Sequence, residues 1–317
     1  GYKRFRTVGI KVFCIVGSTP NDAVIPLSPA DKIPFVCAGH VSLIAPQLEA
    51  NYVMSEYGNI AEREAGFIKW AKDSWKLERP PKVGIMYIDV STHRAGATNP
   101  HLAEYAKSIG VDFVGTEAIA PALTDTTIEL TRLHKKGADF IYIDHTPAAY
   151  SIVVRDAERL GIREEVKFGI VCWGFDELLV DMLGDLSEGL YGFDYLALAS
   201  ETDVPGVKLA HAILDKYGGE KKVTQLYIMG IDVGAIIEEA LRGALEDVGY
   251  ENLTGEAVNK ALHNFKGFTA KGLRPPADTT PDTYYISNDV RMAVIEGGKI
   301  KVVSDWYTTA SIEMPVG

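Results

Sequence analysis

Asp144 and His145 stand side by side, and Asp89 precedes His93 by one helical turn's worth of chain. Acid–imidazole combinations are the raw material of general acid–base catalysis. No surrounding motif gives them a reaction. The chain has no Gly-x-Ser-x-Gly elbow, no P-loop and no His-Glu-x-x-His. The run Gly17-Ser18-Thr19 lacks the further glycines of a dinucleotide fingerprint, and the seven histidines are scattered without metal-ligand spacing. No catalytic residue, metal or cofactor is assigned. An α/β enzyme remains an alternative, to be decided by turnover of a bound ligand.

Gly17-Ser18-Thr19-Pro20 has a different kind of chemistry. It joins an apolar β-rich run to a helical stretch. A helix N-terminus offers unpaired N–H groups and partial positive charge, worth about 0.3–1 kcal/mol to an anion. Ser18 adds a hydroxyl. Either Ser18 or Thr19 caps the helix, or the turn holds an anionic ligand; position alone leaves both open.

Composition narrows the partners. Forty-three acidic against 32 basic residues give a formal charge of -11, which repels a phosphate backbone. Lys135-Lys136 and Lys221-Lys222 sit at helix ends or loops and form no basic patch, so no nucleic-acid partner is expected. No apolar run is long enough to cross a bilayer. The three cysteines, Cys14, Cys37 and Cys172, lie in or at the ends of apolar runs and read as buried small hydrophobes. Their odd number and wide spacing exclude a disulfide framework.

The elements that must position these groups alternate between short β-rich runs and amphipathic helical stretches, the pattern of parallel α/β sheets. Strands are expected at 10–16, 33–37, 82–88, 111–115, 140–143, 166–172 and 190–198. Helices are expected from 21, and at 60–76, 99–109, 125–136, 147–160 and 176–183, several of them ended by glycine. After a linker-like 201–206, helices follow at 207–217, 225–248 and 254–264, then strands at 284–287, 290–296 and 299–303. At 317 residues, the chain suits two domains.

Three stretches carry a resemblance. They are Val16-Gly17-Ser18-Thr19 through Asp31-Lys32-Ile33-Pro34-Phe35-Val36, then Lys82-Val83-Gly84-Ile85-Met86-Tyr87-Ile88-Asp89, then Gly137-Ala138-Asp139-Phe140-Ile141-Tyr142 with the helix end Ala157-Glu158-Arg159-Leu160-Gly161. In order and spacing they resemble the type I periplasmic binding proteins, in the branch with the branched-chain amino acid receptors. The resemblance spans essentially the whole chain. It implies two Rossmann-like lobes with parallel sheets joined by hinge strands. Lobe one is expected to hold 1–79 and 202–282, and lobe two 80–201 and 283–317. Pro80-Pro81, the 201–205 segment and a crossing near Pro281 would be the hinges. The family's first strand and helix have no counterpart here, so that N-terminal unit is expected to be missing.

In such a fold, ligands bind outside the carboxyl ends of the strands. The loops so placed are 17–20, 38–42, 89–96, 144–147 and 172–175. The resemblance makes Ser18 and Thr19 the carboxylate-binding turn, and Gly39, His40 and Ser42 the second lobe-one contact; His40 also reads as a satisfied surface histidine. It puts His93 and Thr146 at aromatic or polar contacts of lobe two. Trp173 falls beside a position where amino acid receptors carry an acid, as a flat apolar wall or a core residue. The ligand implied is a small carboxylate with an apolar or aromatic tail. A branched-chain or aromatic amino acid is the alternative, with Asp89, Asp144 or Asp176 meeting its ammonium. The resemblance further implies an exported, periplasmic or extracellular monomer, with or without a lipid anchor, that serves a membrane ABC permease. A receptor's sensor domain is the other reading.

Overall fold

The computed structural model describes residues 2–17, 23–38, 52–218 and 222–314. Ser18, Thr19, Gly39, His40, Ser42 and Lys221 lie outside the described residues, as does the start of the helix expected from residue 21.

The chain opens with α1 (Tyr2–Thr7), β1 (Phe13–Val16), α2 (Ser28–Asp31), β2 (Phe35–Ala38), β3 (Val53–Tyr57) and α3 (Ile60–Ser74). A regular series follows: β4 (Lys82–Ile88), α4 (Ser91–Ala97), α5 (Pro100–Ser108), β5 (Asp112–Ile119), α6 (Thr127–Lys135), β6 (Phe140–Asp144), α7 (Pro147–Arg159), β7 (Lys167–Ile170), α8 (Glu177–Leu183) and β8 (Tyr191–Asp194). The last third holds α9 (Pro205–Ile213), α10 (Gln225–Val248) and α11 (Gly255–Leu262). It ends on β9 (Tyr285–Ser287), β10 (Asp289–Glu296), β11 (Lys299–Val302) and β12 (Tyr307–Thr308).

Two sheets result, as the α/β pattern requires. The smaller has the order β1-β2-β3-β9, every pair parallel. The larger runs β11-β10-β8-β7-β6-β4-β5, with β12 paired to β10. Its strands β5 to β8 are parallel, and β10 joins β8 antiparallel. β6 is buried along its whole length, as expected of a strand covered on both faces.

The helices sort by the sheet they cover. α10 places Val233, Ile236, Ala240 and Ala244 in a core with Val36 of β2 and Met54 of β3. α3 lies on the larger sheet. Its Phe67 ring centre is 6.3 Å from that of Phe140 and 4.9 Å from that of Tyr142, alternate residues on one face of β6. Asn59 starts α3 with a capping box: its side chain accepts from the Glu62 N–H at 3.0 Å, and Glu62 accepts from the Asn59 N–H at 2.8 Å.

The chain therefore passes between the sheets before α3, at Gly58 and Asn59, although α3 falls within the first 79 residues. It returns through the buried segment after β8, and crosses again at Asn288, between β9 of the smaller sheet and β10 of the larger. The first and last crossings touch: a Cβ on Gly58 would sit 1.9 Å from the Asn288 side-chain oxygen, so a larger residue there would have to displace that side chain.

β3, α4 and the two-residue β12 have no counterpart in the sequence expectations. β3 reads Val-Met-Ser-Glu-Tyr, where Ser55 and Glu56 interrupt the apolar run, yet all five residues are buried. α4 occupies a stretch read as loop. Among the cysteines, Cys37 and Cys172 are buried, but Cys14 is exposed because β1 borders the smaller sheet; all three are free thiols.

Candidate functional site

The order β5-β4-β6-β7 places the strand after β4 on one side and the later ones on the other. The connections leaving β4 and β6 diverge, and such a switch point opens a crevice at the carboxyl ends of those strands. α4 follows β4 directly, and Asp144 is the last residue of β6. His93 of α4 and Asp144 meet across the switch point, with His93 Nδ1 and Asp144 Oδ2 2.8 Å apart and both residues buried.

A third element completes this cluster from below. The face of α3 turned to the sheet carries Ile60, Arg63, Glu64, Phe67, Ile68 and Ala71, all buried, at helical spacing. Arg63 and Glu64 fall at its N-terminal end, beside the ends of the strands. Arg63 Nη2 lies 3.8 Å from Asp144 Oδ2. Both carboxyl oxygens of Glu64 are buried and accept no hydrogen bond among the described residues. Burial, with the Asp144 charge added to it, raises the Glu64 carboxyl well above the usual carboxylate range. The sequence carried a signal for these two residues: they share the stripe that marked α3 as core-facing, and charged residues on such a stripe call for partners.

Trp173 follows β7 in a loop whose Gly174 lies against Tyr150; a Cβ there would be 1.5 Å from that ring. The indole N–H of Trp173 donates to the Tyr57 hydroxyl at the end of β3. Trp173 is half-buried and packs against the main cores of both sheets. Tyr57 in turn packs on Tyr195 at 4.2 Å between ring centres and carries the Arg63 guanidinium 5.1 Å over its face. Trp173 is thus both a flat apolar surface and a bridge between sheets.

His93, with its partner Asp144, and Trp173 stand on neighbouring strand ends. Thr146 is exposed at the N-terminus of α7, where its side chain makes no capping bond. His145 faces elsewhere: Nδ1 accepts from the Thr146 N–H at 2.7 Å, and Nε2 lies 3.1 Å from the Ala120 carbonyl. Burial lowers its pKa. The adjacent Asp144 and His145 therefore form no acid–base pair; Asp144 is held by His93 and Arg63. Asp89 accepts from Arg94 Nε at 3.0 Å, and Asp176 caps α8 by accepting from the N–H groups of Leu178 and Leu179 at 2.9 and 3.3 Å. Among the described residues, no group of three or more His, Cys, Asp or Glu is arranged to hold a metal. No described helix is long and apolar enough to cross a membrane.

A family model described as periplasmic binding protein matches residues 8–299. The chain belongs to the periplasmic binding protein family. Comparison with curated protein sequences gives no match. Solved structures give many. A branched-chain amino acid ABC transporter protein from Thermus thermophilus with bound valine is 22% identical, with a TM-score of 0.79, over 95% of this chain and 79% of that one. A solute-binding protein from Rhodopseudomonas palustris in complex with 4-hydroxybenzoate is 20% identical, with a TM-score of 0.76, over 97% and 80%. A leucine-binding protein from Thermotoga maritima is 16% identical, with a TM-score of 0.75, over 92% and 78%. This periplasmic binding protein shares their two-sheet α/β fold.

Proposed function

We propose that this solute-binding protein captures a small carboxylate with an apolar or aromatic tail between the carboxyl ends of its two sheets, and presents it to a membrane ABC permease from outside the cytoplasm. The sheet-centred halves close on the ligand by hinge motion at the three crossings, as a monomer. Ser18 and Thr19 bind the carboxylate, with Gly39, His40 and Ser42 beside them, and His93, Thr146 and Trp173 face it from the larger sheet.

One observation carries the ligand class. Two of the acids that the sequence offers to an ammonium meet cations, Asp89 with Arg94 and Asp144 with His93 and Arg63, while Asp176 caps α8 through Oδ1 and keeps a buried Oδ2 with no hydrogen bond among the described residues. A buried ammonium without a counter-charge costs several kcal/mol. The Trp173 face, by contrast, rewards an apolar tail at about 25 cal/mol per Å² removed from water. Solved relatives with valine and with 4-hydroxybenzoate bracket the two ligand classes. A second reading has one observation of its own. The Glu64 carboxyl has no hydrogen-bonding partner among the described residues, and an amino acid's ammonium would supply one.

Mass spectrometry of the molecule released when the purified protein is denatured tests the proposal. A carboxylic acid without an amine is expected. An amino acid would favour the second reading, and a molecule with no carboxylate would contradict both.

A further inference from the structure

We infer that Asp144 is a positioning residue that acts on the ligand through His93, and that it is not itself a ligand's counter-charge. This deepens the proposed function and rests on its placing of the ligand against His93.

The argument begins with three elements meeting at one oxygen. Asp144 Oδ2 is 2.8 Å from His93 Nδ1 on α4 and 3.8 Å from Arg63 Nη2 on α3. The side chains of Arg63 and Asp144 are 3% and 2% exposed. At such burial a carboxylate persists only with compensation, and the guanidinium supplies it. Glu64 is the competing acid on the same helix. It makes no hydrogen bond among the described residues, and the charge on Asp144 raises its pKa further. The cluster thus brings one guanidinium and two carboxyl groups together, and Asp144 is the one of the two that the guanidinium and the imidazole meet.

A carboxylate beside Nδ1 requires the ring hydrogen to sit on Nδ1. That hydrogen bond sets both the tautomer and the angle of the imidazole, as carboxylates do for metal-bound histidines. Nε2 is then the nitrogen through which the ring meets any further group. The bond to Asp144 ties His93 to the central strand of the switch point.

A thermodynamic cycle tests this. The probes are two matched pairs: leucine with 4-methylpentanoate, and phenylalanine with 3-phenylpropanoate. Affinity is measured by calorimetry for the wild type, Asp144→Asn, His93→Ala and the double variant. The expected result is about a tenfold loss for Asp144→Asn in the wild-type background, and less than about twofold in the His93→Ala background, because the two residues act as one unit. An equal loss in both backgrounds, confined to the amino acids, would make Asp144 a direct ammonium partner and overturn the inference. Nitrogen-15 spectra of the imidazole supply a readout that needs no ligand. Wild-type His93 should carry hydrogen on Nδ1, and Asp144→Asn should shift that signal; an unchanged ring signal would overturn the inference as well. If no probe binds the wild type, the ligand class fails and the ring spectra decide the pairing alone. If Asp144→Asn does not fold, His93→Asn serves instead. It keeps a donor near Asp144 but removes Nε2, so affinity should fall while the melting temperature holds. Unchanged affinity would contradict a ligand-facing His93.

Discussion

Trp173 has two separable roles, and substitution divides them. Trp173→Phe keeps a flat ring but removes the N–H that meets Tyr57. The loss of one such hydrogen bond costs about 1 kcal/mol, so affinity for the preferred ligand should fall about fivefold. Trp173→Ala also removes the apolar face and should weaken binding by about tenfold or more. Calorimetry reads both, and unchanged affinity in the alanine variant would remove Trp173 from the site. Asp194 gives a prediction independent of ligand. It is fully buried at the end of β8, and burial raises its pKa to about 7, against the pull of the Leu196 N–H and Arg291. The folded state therefore prefers the protonated form. The stability contributed is fully present below the unfolded pKa of about 4 and is lost as pH rises to 7, at about 1.4 kcal/mol per unit, or about 4 kcal/mol in all. Asp194→Asn should abolish this dependence in denaturant titrations, so the variant gains on the wild type across that range. A constant difference would mean that Asp194 does not titrate there. At this scale the sequence pointed to His93 and Trp173 through their place after strands. It left out Arg63 and Glu64, because a helix stripe was read for its apolar members only.

Most elements of the larger sheet were legible, since glycines at 110, 137, 161 and 184 end its helices and β-rich runs begin its strands. β4 and α10 fall where periodicity put them. β3 was not legible because burial there depends on partners far away in sequence. Glu56 is enclosed next to Asp232 of α10, and Arg274 pairs with Asp232 through Nε at 2.9 Å while its Nη1 donates to the Glu56 carbonyl at 2.7 Å. A polar residue enclosed by groups as far off in sequence as Asp232 and Arg274 looks like loop when read locally. Pro80-Pro81 is a strong breaker and separates α3 from β4, whereas the approach of Gly58 to Asn288 is a contact visible only after folding. The Arg274 clamp joins β3, α10 and the segment before β9. Arg274→Met should leave Asp232 buried without its partner and cost about 3–5 kcal/mol in equilibrium unfolding. A loss below 1 kcal/mol would show that the clamp is replaceable.

For the molecule as a whole, Trp173 beside β7 reaching Tyr57 at the end of β3 joins the two sheets directly. Under the proposed function, a ligand packed on Trp173 would favour this joined state and shift the equilibrium by its preference for that state alone. Solution scattering should show a smaller radius of gyration at saturating ligand than without it; an identical profile would count against hinge closure. The two-sheet architecture was readable from the alternation of elements, whereas the ligand was not, because its selection depends on which acids are already paired. That pairing is the central claim, and matched calorimetric titrations test it most directly. Leucine and phenylalanine are each compared with the acid that lacks the amine, 4-methylpentanoate and 3-phenylpropanoate. With Asp89 and Asp144 paired to cations and Asp176 capping α8 through Oδ1, the acids without the amine should bind more tightly than their amino counterparts. Tight binding of the amino acids, with no binding of either analogue, would contradict the account.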